Sequence, residues 1–273
     1  MNHPSQSAGG LLQEWRRRRR LSQLELASTA EISQRHLSFI ESGRSSPSRD
    51  MVLHLAENLR IPMRERNVLL VAAGYAPVYP DKPLGDPALE TARNAVDLIL
   101  TAHEPYPALA VDRHWNLIAS NRAVAFFLEG LDAELLQPPV NVLRLSLHPR
   151  GLASRIGNFR QWRSHIIGRL AEQIDNSGDG GLVALLEDIK SYPAPANARP
   201  HRPGRNDPLG GIATPFELIT DEGVLSFLST TTIFGTAVDI SLSELVIETF
   251  LPANPDTFEA MRHLFKADEG RVG

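Results

Sequence analysis

Apolar residues in the first quarter of the chain recur three and four positions apart, and polar residues fill the positions between them. Residues 11–74 contain five short stretches with this spacing, which predict five short helices. Three serines suit helix starts: Ser22 begins a capping-box pattern, and Ser33 and Ser48 are good N-caps. Pro62 suits the first turn of the fifth helix. The pattern therefore predicts a small all-α domain.

The pattern changes after a stretch rich in proline and glycine at residues 75–87, which predicts a linker. Beyond it, helical spacing predicts helices over residues 87–102, 121–128, 155–176, 182–190 and 255–265. Runs of β-branched and aromatic residues predict strands over residues 108–112, 115–119, 214–220, 223–234 and 244–251. A loop rich in Pro, Arg and Asn is predicted for residues 192–208. Strands before and after a helical middle favour an α+β domain.

Together these elements predict a multidomain chain of mixed class. An all-α five-helix domain covers residues 8–76, a linker and connecting helix cover 77–104, and an α+β domain covers 105–267. The composition fits this division, because 42% of the 273 residues are hydrophobic, which is enough to fill two cores.

The composition also excludes several classes of protein. No cysteine is present, which removes disulfides, thiolate catalysis and cysteine zinc sites. No apolar run is long enough to span a membrane and the first residues lack the layout of a signal peptide, so we expect a cytoplasmic protein with no membrane partner. No metal-binding or phosphate-binding motif occurs, and Ser229 lies outside any GxSxG pattern. We therefore expect no catalytic residues, no metal and no cofactor.

The charge is distributed unevenly along the chain. The net charge is −4, yet the first 80 residues carry eleven arginines against seven acidic residues, a net charge of +4 that leaves −8 for the remainder. A basic N-terminal part suits contact with the phosphates of DNA. For several of the arginines at 16–20 the alternative is a solvated face, because five consecutive residues cannot share one side of a helix.

Residues 22–48 carry the most specific pattern in the chain. Its defining residues are Gln23, Leu26, Ala27, Ile32, Ser33 and the run 37–44. This pattern resembles the lambda-repressor-like helix-turn-helix family of the XRE type. One departure is Glu31, at a turn where the family usually has Gly and where a left-handed backbone is expected at some energetic cost. The resemblance also implies that Arg16 and Glu41 form an ion pair inside the domain.

By this resemblance the third helix enters the major groove of double-stranded DNA with its N-terminus first. The residues expected to contact DNA are Gln23, Ser33, Gln34, Arg35, His36 and Arg44. Gln34 and Arg35 have side chains that form paired hydrogen bonds to adenine and guanine, although an ordinary exposed helix face is the alternative for both. The resemblance assigns Gln23 to a phosphate, and Arg44 lies just past the helix, within reach of the DNA backbone.

A second set of residues, spread over 105–265, has a recognisable order. It includes Asp112, Trp115, Asn116, Asn121, the run 141–149, Trp162, Arg169, Phe227, Glu248 and Pro252. This order resembles the C-terminal domain of MmyB-like regulators, a PAS-like ligand-binding module. The resemblance implies a pocket for a small, mainly apolar molecule, with a fatty-acyl-like compound as one candidate.

Aromatic side chains are the candidates for lining this pocket, since ligand pockets are largely apolar with few polar anchors. The residues chosen are Trp115, Phe126, Trp162, Phe216, Phe227 and Phe234. The alternative for each of them is an ordinary place in the hydrophobic core.

The two resemblances together imply a sequence-specific transcriptional regulator with an all-α helix-turn-helix domain followed by a PAS-like α+β domain. We expect a homodimer on a palindromic operator, with an operator affinity that the small apolar ligand changes. The alternative is a DNA-binding regulator whose C-terminal domain only dimerises or binds a protein partner. An antitoxin-like repressor inactivated by a protein is disfavoured, because the second domain is large.

Overall fold

The computed structural model describes residues 7–198 and 213–272, with side chains up to residue 266. Most of the loop predicted over 192–208 therefore lies outside the described residues. The described chain divides into two compact units. The first runs to Pro83 and takes in two short later segments, Asp175–Gly178 and Thr236–Ser243, and the second contains the rest.

The first unit contains the five helices that the apolar spacing predicts. They are α1 (Ala8–Arg18), α2 (Gln23–Thr29), α3 (Gln34–Glu41), α4 (Arg49–Asn58) and α5 (Met63–Ala72). Ser22 forms the complete capping box, and the hydroxyls of Ser33 and Ser48 accept backbone hydrogen bonds at the starts of α3 and α4. Pro62 occupies the N-cap position of α5, one residue before the helical position predicted for it.

The core of the first unit is built from the apolar face of each helix. Leu12, Leu26, Leu37, Leu55 and Leu69, one from each of α1 to α5, are fully buried. Burying such side chains stabilises a fold by about 1.5–3 kcal/mol each, so these contacts, more than helix propensity, hold the short helices together.

The later helices are interspersed with strands. They are α6 (Glu90–Ala102), α7 (Ala125–Leu128), α8 (Val142–Leu147), α9 (Phe159–Ser177), α10 (Gly180–Ser191), α11 (Ile240–Ser243) and α12 (Pro255–Val272). Short 3₁₀ turns cover Pro87–Leu89, Arg122–Val124, Ala133–Leu136 and Ala153–Arg155. The helix predicted over 121–128 is thus a 3₁₀ turn followed by a single α turn. In the described part of the chain, no helix is long and apolar enough to cross a bilayer.

The strands of the second unit form one five-stranded antiparallel sheet. They are β1 (Ala108–Val111), β2 (Leu117–Ser120), β3 (Phe216–Thr220), β4 (Gly223–Ile233) and β5 (Val246–Pro252), in the order β2-β1-β5-β4-β3. A tight turn joins β3 to β4, with Thr220 opposite Gly223. The predicted fold class, an all-α helix-turn-helix domain followed by an α+β domain, is confirmed.

Candidate DNA-recognition surface and apolar cavity

Helix α3 presents its N-terminal end to solvent. Ser33, Gln34 and Arg35 are exposed and His36 is partly exposed, while Leu37 is buried in the core behind them. Ser33 Oγ accepts a hydrogen bond from the His36 backbone N–H at 3.1 Å, which fixes where the helix starts. The structure thus brings four of the predicted DNA-contacting residues together at one exposed helix end.

The turn before α3 depends on a left-handed residue. Glu31, between α2 and α3, has φ 51°, the conformation expected where the family usually has Gly. The turn lets α2 and α3 pack against each other while the start of α3 projects outward.

Two arginines, one at the start of α3 and one just past its end, share one aromatic ring. The guanidinium carbons of Arg35 and Arg44 lie 5.3 and 6.0 Å from the centre of the Phe39 ring. Such cation–π contacts are worth about 0.5–1 kcal/mol at exposed sites. Phe39 therefore restrains both side chains and holds two positive charges on the same side of the helix.

A single buried carboxylate connects three helices of the first unit. Arg16 donates to both oxygens of Glu41, from Nε at 2.6 Å and from Nη2 at 2.8 Å. The amides of Gln13 and Gln23 also donate to Oε2, at 3.5 and 2.8 Å. The predicted Arg16–Glu41 pair is present, and only 1% of the Glu41 side chain is exposed.

The charge state of this carboxylate follows from its partners. Burial acts to raise the pKa of Glu41, but the hydrogen bonds and positive charge of Arg16, with the hydrogen bonds from Gln23 and Gln13, outweigh it and hold the pKa below its ordinary value of 4.5. Gln23, predicted to bind a phosphate, is therefore already oriented by an internal partner.

The second unit has a partly open, largely apolar cavity of about 90 Å³ between the sheet and helices α7, α8 and α9. Strands β1, β2, β3 and β5 form the other side. Its apolar lining includes Leu109, Leu117, Val124, Phe127, Val142, Leu143, Leu145, Ile166 and Phe250. Natural cores leave few voids larger than a water molecule, so a space of this size is a candidate binding site.

Three of the six aromatic residues predicted to bind the ligand line this cavity: Trp115, Trp162 and Phe216. The other three, Phe126, Phe227 and Phe234, are not part of its lining. Phe227 is fully buried and packs edge-on against Phe127, so it fills the core behind the cavity. Phe126 packs against the core, and Phe234 is half-buried just after β4.

One part of the cavity is polar. We call the group formed by His165, Arg169 and Glu248 the polar wall. Arg169 binds both oxygens of Glu248, at 3.1 and 2.5 Å, and Thr231 donates to the same carboxylate at 2.9 Å. Only 5% of the Glu248 side chain is exposed, against 30% for Arg169.

Trp115 is held rigidly beside the polar wall. Its backbone has φ 67°, a left-handed conformation that is costly for a bulky residue and persists only where the surroundings enforce it. Asp112 helps to enforce this conformation, because its Oδ1 accepts a hydrogen bond from the backbone N–H of Asn116 at 2.9 Å. The indole N–H donates to Gln173 at 2.8 Å, and the Arg169 guanidinium lies 4.6 Å from the ring centre.

His165 completes the polar wall one helical turn before Arg169. Its ring stacks on Trp162 at 5.4 Å between centres, and the Trp162 indole N–H donates to Ser146 Oγ at 3.0 Å. Burial lowers the pKa of His165, and the nearby Arg169 charge lowers it further. The imidazole is therefore neutral at neutral pH, so one ring nitrogen can donate a hydrogen bond and the other can accept one.

Sequence reasoning did not assign the polar wall to the cavity. Arg169 and Glu248 belong to the matched residues of the second resemblance, but no motif joins two positions 79 residues apart. In the part of the chain that the structure describes, no group of three or more His, Asp or Glu side chains is placed to hold a metal ion.

Comparisons with known proteins assign each unit a counterpart. Residues 12–66 match the family model described as helix-turn-helix, and residues 92–264 match the model of the MmyB-like transcription regulator ligand binding domain. A protein of Methanoculleus marisnigri, described as an HTH-type transcriptional regulatory protein, is 35% identical over 116 residues. That alignment covers 41% of this chain and 37% of the relative's length.

Proposed function

Because this chain belongs to the family of MmyB-like transcription regulators, we propose that it is a DNA-binding regulator whose operator affinity depends on a small apolar molecule held in the cavity of its second unit. The family matches indicate a helix-turn-helix transcription regulator with a domain of the ligand-binding type, and not an enzyme. What the proposal adds is the place of the ligand, its chemical character and its effect on DNA.

In the DNA-binding part of the proposal, some residues contact bases and others contact phosphates. Gln34 and Arg35, exposed at its start, read base edges in the major groove, with Ser33 and His36 beside them. Gln23 and Arg44 contact phosphates and fix the register of the domain on the duplex. The protein acts as a homodimer, so that two such helices read a palindromic operator.

The ligand-binding part is carried by one observation, the apolar cavity of about 90 Å³ inside the second unit. The space is several times larger than the roughly 10–15 Å³ that a cavity needs to admit one water. A short acyl or small aromatic molecule is the candidate occupant, whereas a long acyl chain requires the surrounding helices to move apart.

Such a ligand regulates DNA binding only if it has different affinities for the DNA-competent and DNA-incompetent states. We expect a coupling of about 1–3 kcal/mol, or a roughly 5–150-fold change in operator affinity. The same molecule should raise the melting temperature, because it binds the folded protein alone.

The test uses an operator selected from a random DNA pool and titrated with protein in the presence of short alcohols, esters and aromatic compounds. Val142→Phe, which places a phenyl ring in the cavity, is the comparison variant. A compound that shifts operator affinity in the wild type and not in Val142→Phe supports the proposal. If no compound changes either operator affinity or melting temperature, the cavity is only a packing void.

A further inference from the structure

The polar wall is electrically neutral as a whole. Arg169 and Glu248 neutralise each other through two hydrogen bonds, and Thr231 donates to the same carboxylate and accepts from Arg169 at 2.8 Å. A nearly buried carboxylate with these partners has no charge left to offer a cationic ligand. The same pair leaves the guanidinium with no net charge to offer an anion.

His165 is half-buried and differs from its neighbours because it takes no part in the ion pair. Within the described residues, no backbone or side-chain group is hydrogen-bonded to its ring, which lines the cavity beside Arg169 and Glu248. Stacking on Trp162 fixes the plane of the imidazole. A polar ring that is held in place beside a largely apolar cavity, with no hydrogen bond to another protein group, is suited to a hydrogen bond with a guest molecule.

From this arrangement we infer that the ligand of the cavity has an apolar body and an uncharged head group, such as a hydroxyl, ketone or ester, that hydrogen-bonds to His165. Free carboxylates are selected against, because their negative charge would be buried beside Glu248 with its countercharge already taken. The inference rests on the proposed function, since it describes the occupant of the same cavity.

Three probes of matched size separate head-group chemistry from cavity size: benzyl alcohol, ethylbenzene and benzoate. Their affinities are measured on the full-length protein at pH 7.5 by ligand-observed NMR. A neutral hydrogen bond should make the alcohol bind about two- to tenfold more tightly than ethylbenzene. An unpaired buried charge should weaken benzoate by more than about a hundredfold relative to the alcohol.

Three variants locate these effects on the polar wall. His165→Phe keeps an aromatic ring on Trp162 but has no ring nitrogen, so the alcohol should lose its advantage while ethylbenzene binds as before. His165→Gln supplies a new hydrogen-bonding group and should restore part of that advantage. Glu248→Gln frees the charge of Arg169, and the affinity for benzoate should rise at least about tenfold, as expected when a desolvated cation gains an anionic partner.

The outcomes are distinct. Wild-type protein that binds benzoate as tightly as benzyl alcohol overturns the inference and leaves the proposed cavity ligand standing. An equal loss of alcohol and ethylbenzene in His165→Phe, with the circular dichroism spectrum unchanged, overturns the role of His165. If wild type and Val142→Phe bind all three probes equally poorly, the proposed function itself fails and the inference falls with it.

Discussion

At the scale of single residues, the start of α3 determines which DNA sequence is bound. Gln34→Ala and Arg35→Ala should each remove one pair of hydrogen bonds to a base, at a cost of about 1–3 kcal/mol and with relaxed preference at one position of the operator. Gln23→Ala should weaken binding to all sequences alike, because phosphates carry no sequence information. Titrations against matched and mismatched operators measure both effects. Unchanged sequence preference in the two α3 variants would disprove the assignment.

Glu41 determines how acid affects the first unit. The pKa of Glu41 is lower in the folded chain than in the unfolded one. Its contribution to the free energy of unfolding is therefore fully present above about pH 4.5, and it is lost as the pH falls through the pKa of the folded state. Glu41→Ala leaves the Arg16 charge buried and should lower the free energy of unfolding by about 3–5 kcal/mol.

Urea denaturation at pH 7 and at pH 4 checks both statements for Glu41. Glu41→Gln is the matched control: it keeps hydrogen-bond acceptance without a titratable carboxyl, so it should remove this contribution to the pH dependence. A free energy of unfolding for Glu41→Ala within experimental error of wild type would show that Arg16 finds an equally good partner elsewhere.

Glu31 carries backbone strain that a single substitution can remove. A left-handed conformation costs a residue with a side chain about 1–2 kcal/mol, and glycine avoids that cost but gives up about 0.5–1 kcal/mol of chain entropy. Glu31→Gly should therefore stabilise the first unit by up to about 1 kcal/mol. Thermal denaturation measures the change. Glu31→Ala is the control and should not stabilise, so an equal gain in both variants would point to the lost charge instead.

At the scale of helices, α1 and α3 touch at a position where only glycine fits. A Cβ placed on Gly9 would lie 2.1 Å from the carbonyl oxygen of Ile40, whereas one on Gly10 would meet only Ser7 Oγ at 3.5 Å. Gly9→Ala should force the two helices apart and destabilise the first unit by more than the roughly 1–3 kcal/mol usual for overpacking, because rigid backbone is involved.

Gly10→Ala is the control for that contact. It has room for the added methyl group, and alanine favours a helix over glycine by about 0.8–1 kcal/mol, so its melting temperature should be equal to wild type or higher. A similar melting temperature for both variants would mean that α1 can shift along α3 without loss.

The elements differ in how well the sequence predicts them. The five N-terminal helices follow from apolar spacing and from serine caps such as Ser33, which are local signals. Helix α8 was not predicted, because six residues are too few to show a helical period. The cavity was predicted only as a set of aromatics, of which Trp115 lines it and Phe227 does not. Long-range pairs such as Arg169 with Glu248 leave no local pattern at all.

At the scale of the whole molecule, one helix-turn-helix unit buries too little DNA surface for tight specific binding. We therefore expect a homodimer that protects two half-sites about 34–36 Å apart, or a multiple of that distance. Sedimentation equilibrium and footprinting on a selected operator measure the two quantities. A monomer that protects a single unpaired half-site would refute this expectation.

The position of the tryptophans gives the protein an intrinsic optical reporter. The chain has three tryptophans, and two of them, Trp115 and Trp162, line the cavity. The third, Trp15, lies in the core of the first unit, beneath the guanidinium groups of Arg18 and Arg19. Replacing Trp15 by phenylalanine would leave fluorescence that arises from the cavity walls alone. The colour and intensity of that emission would then report directly, without any attached label, when a molecule enters the cavity.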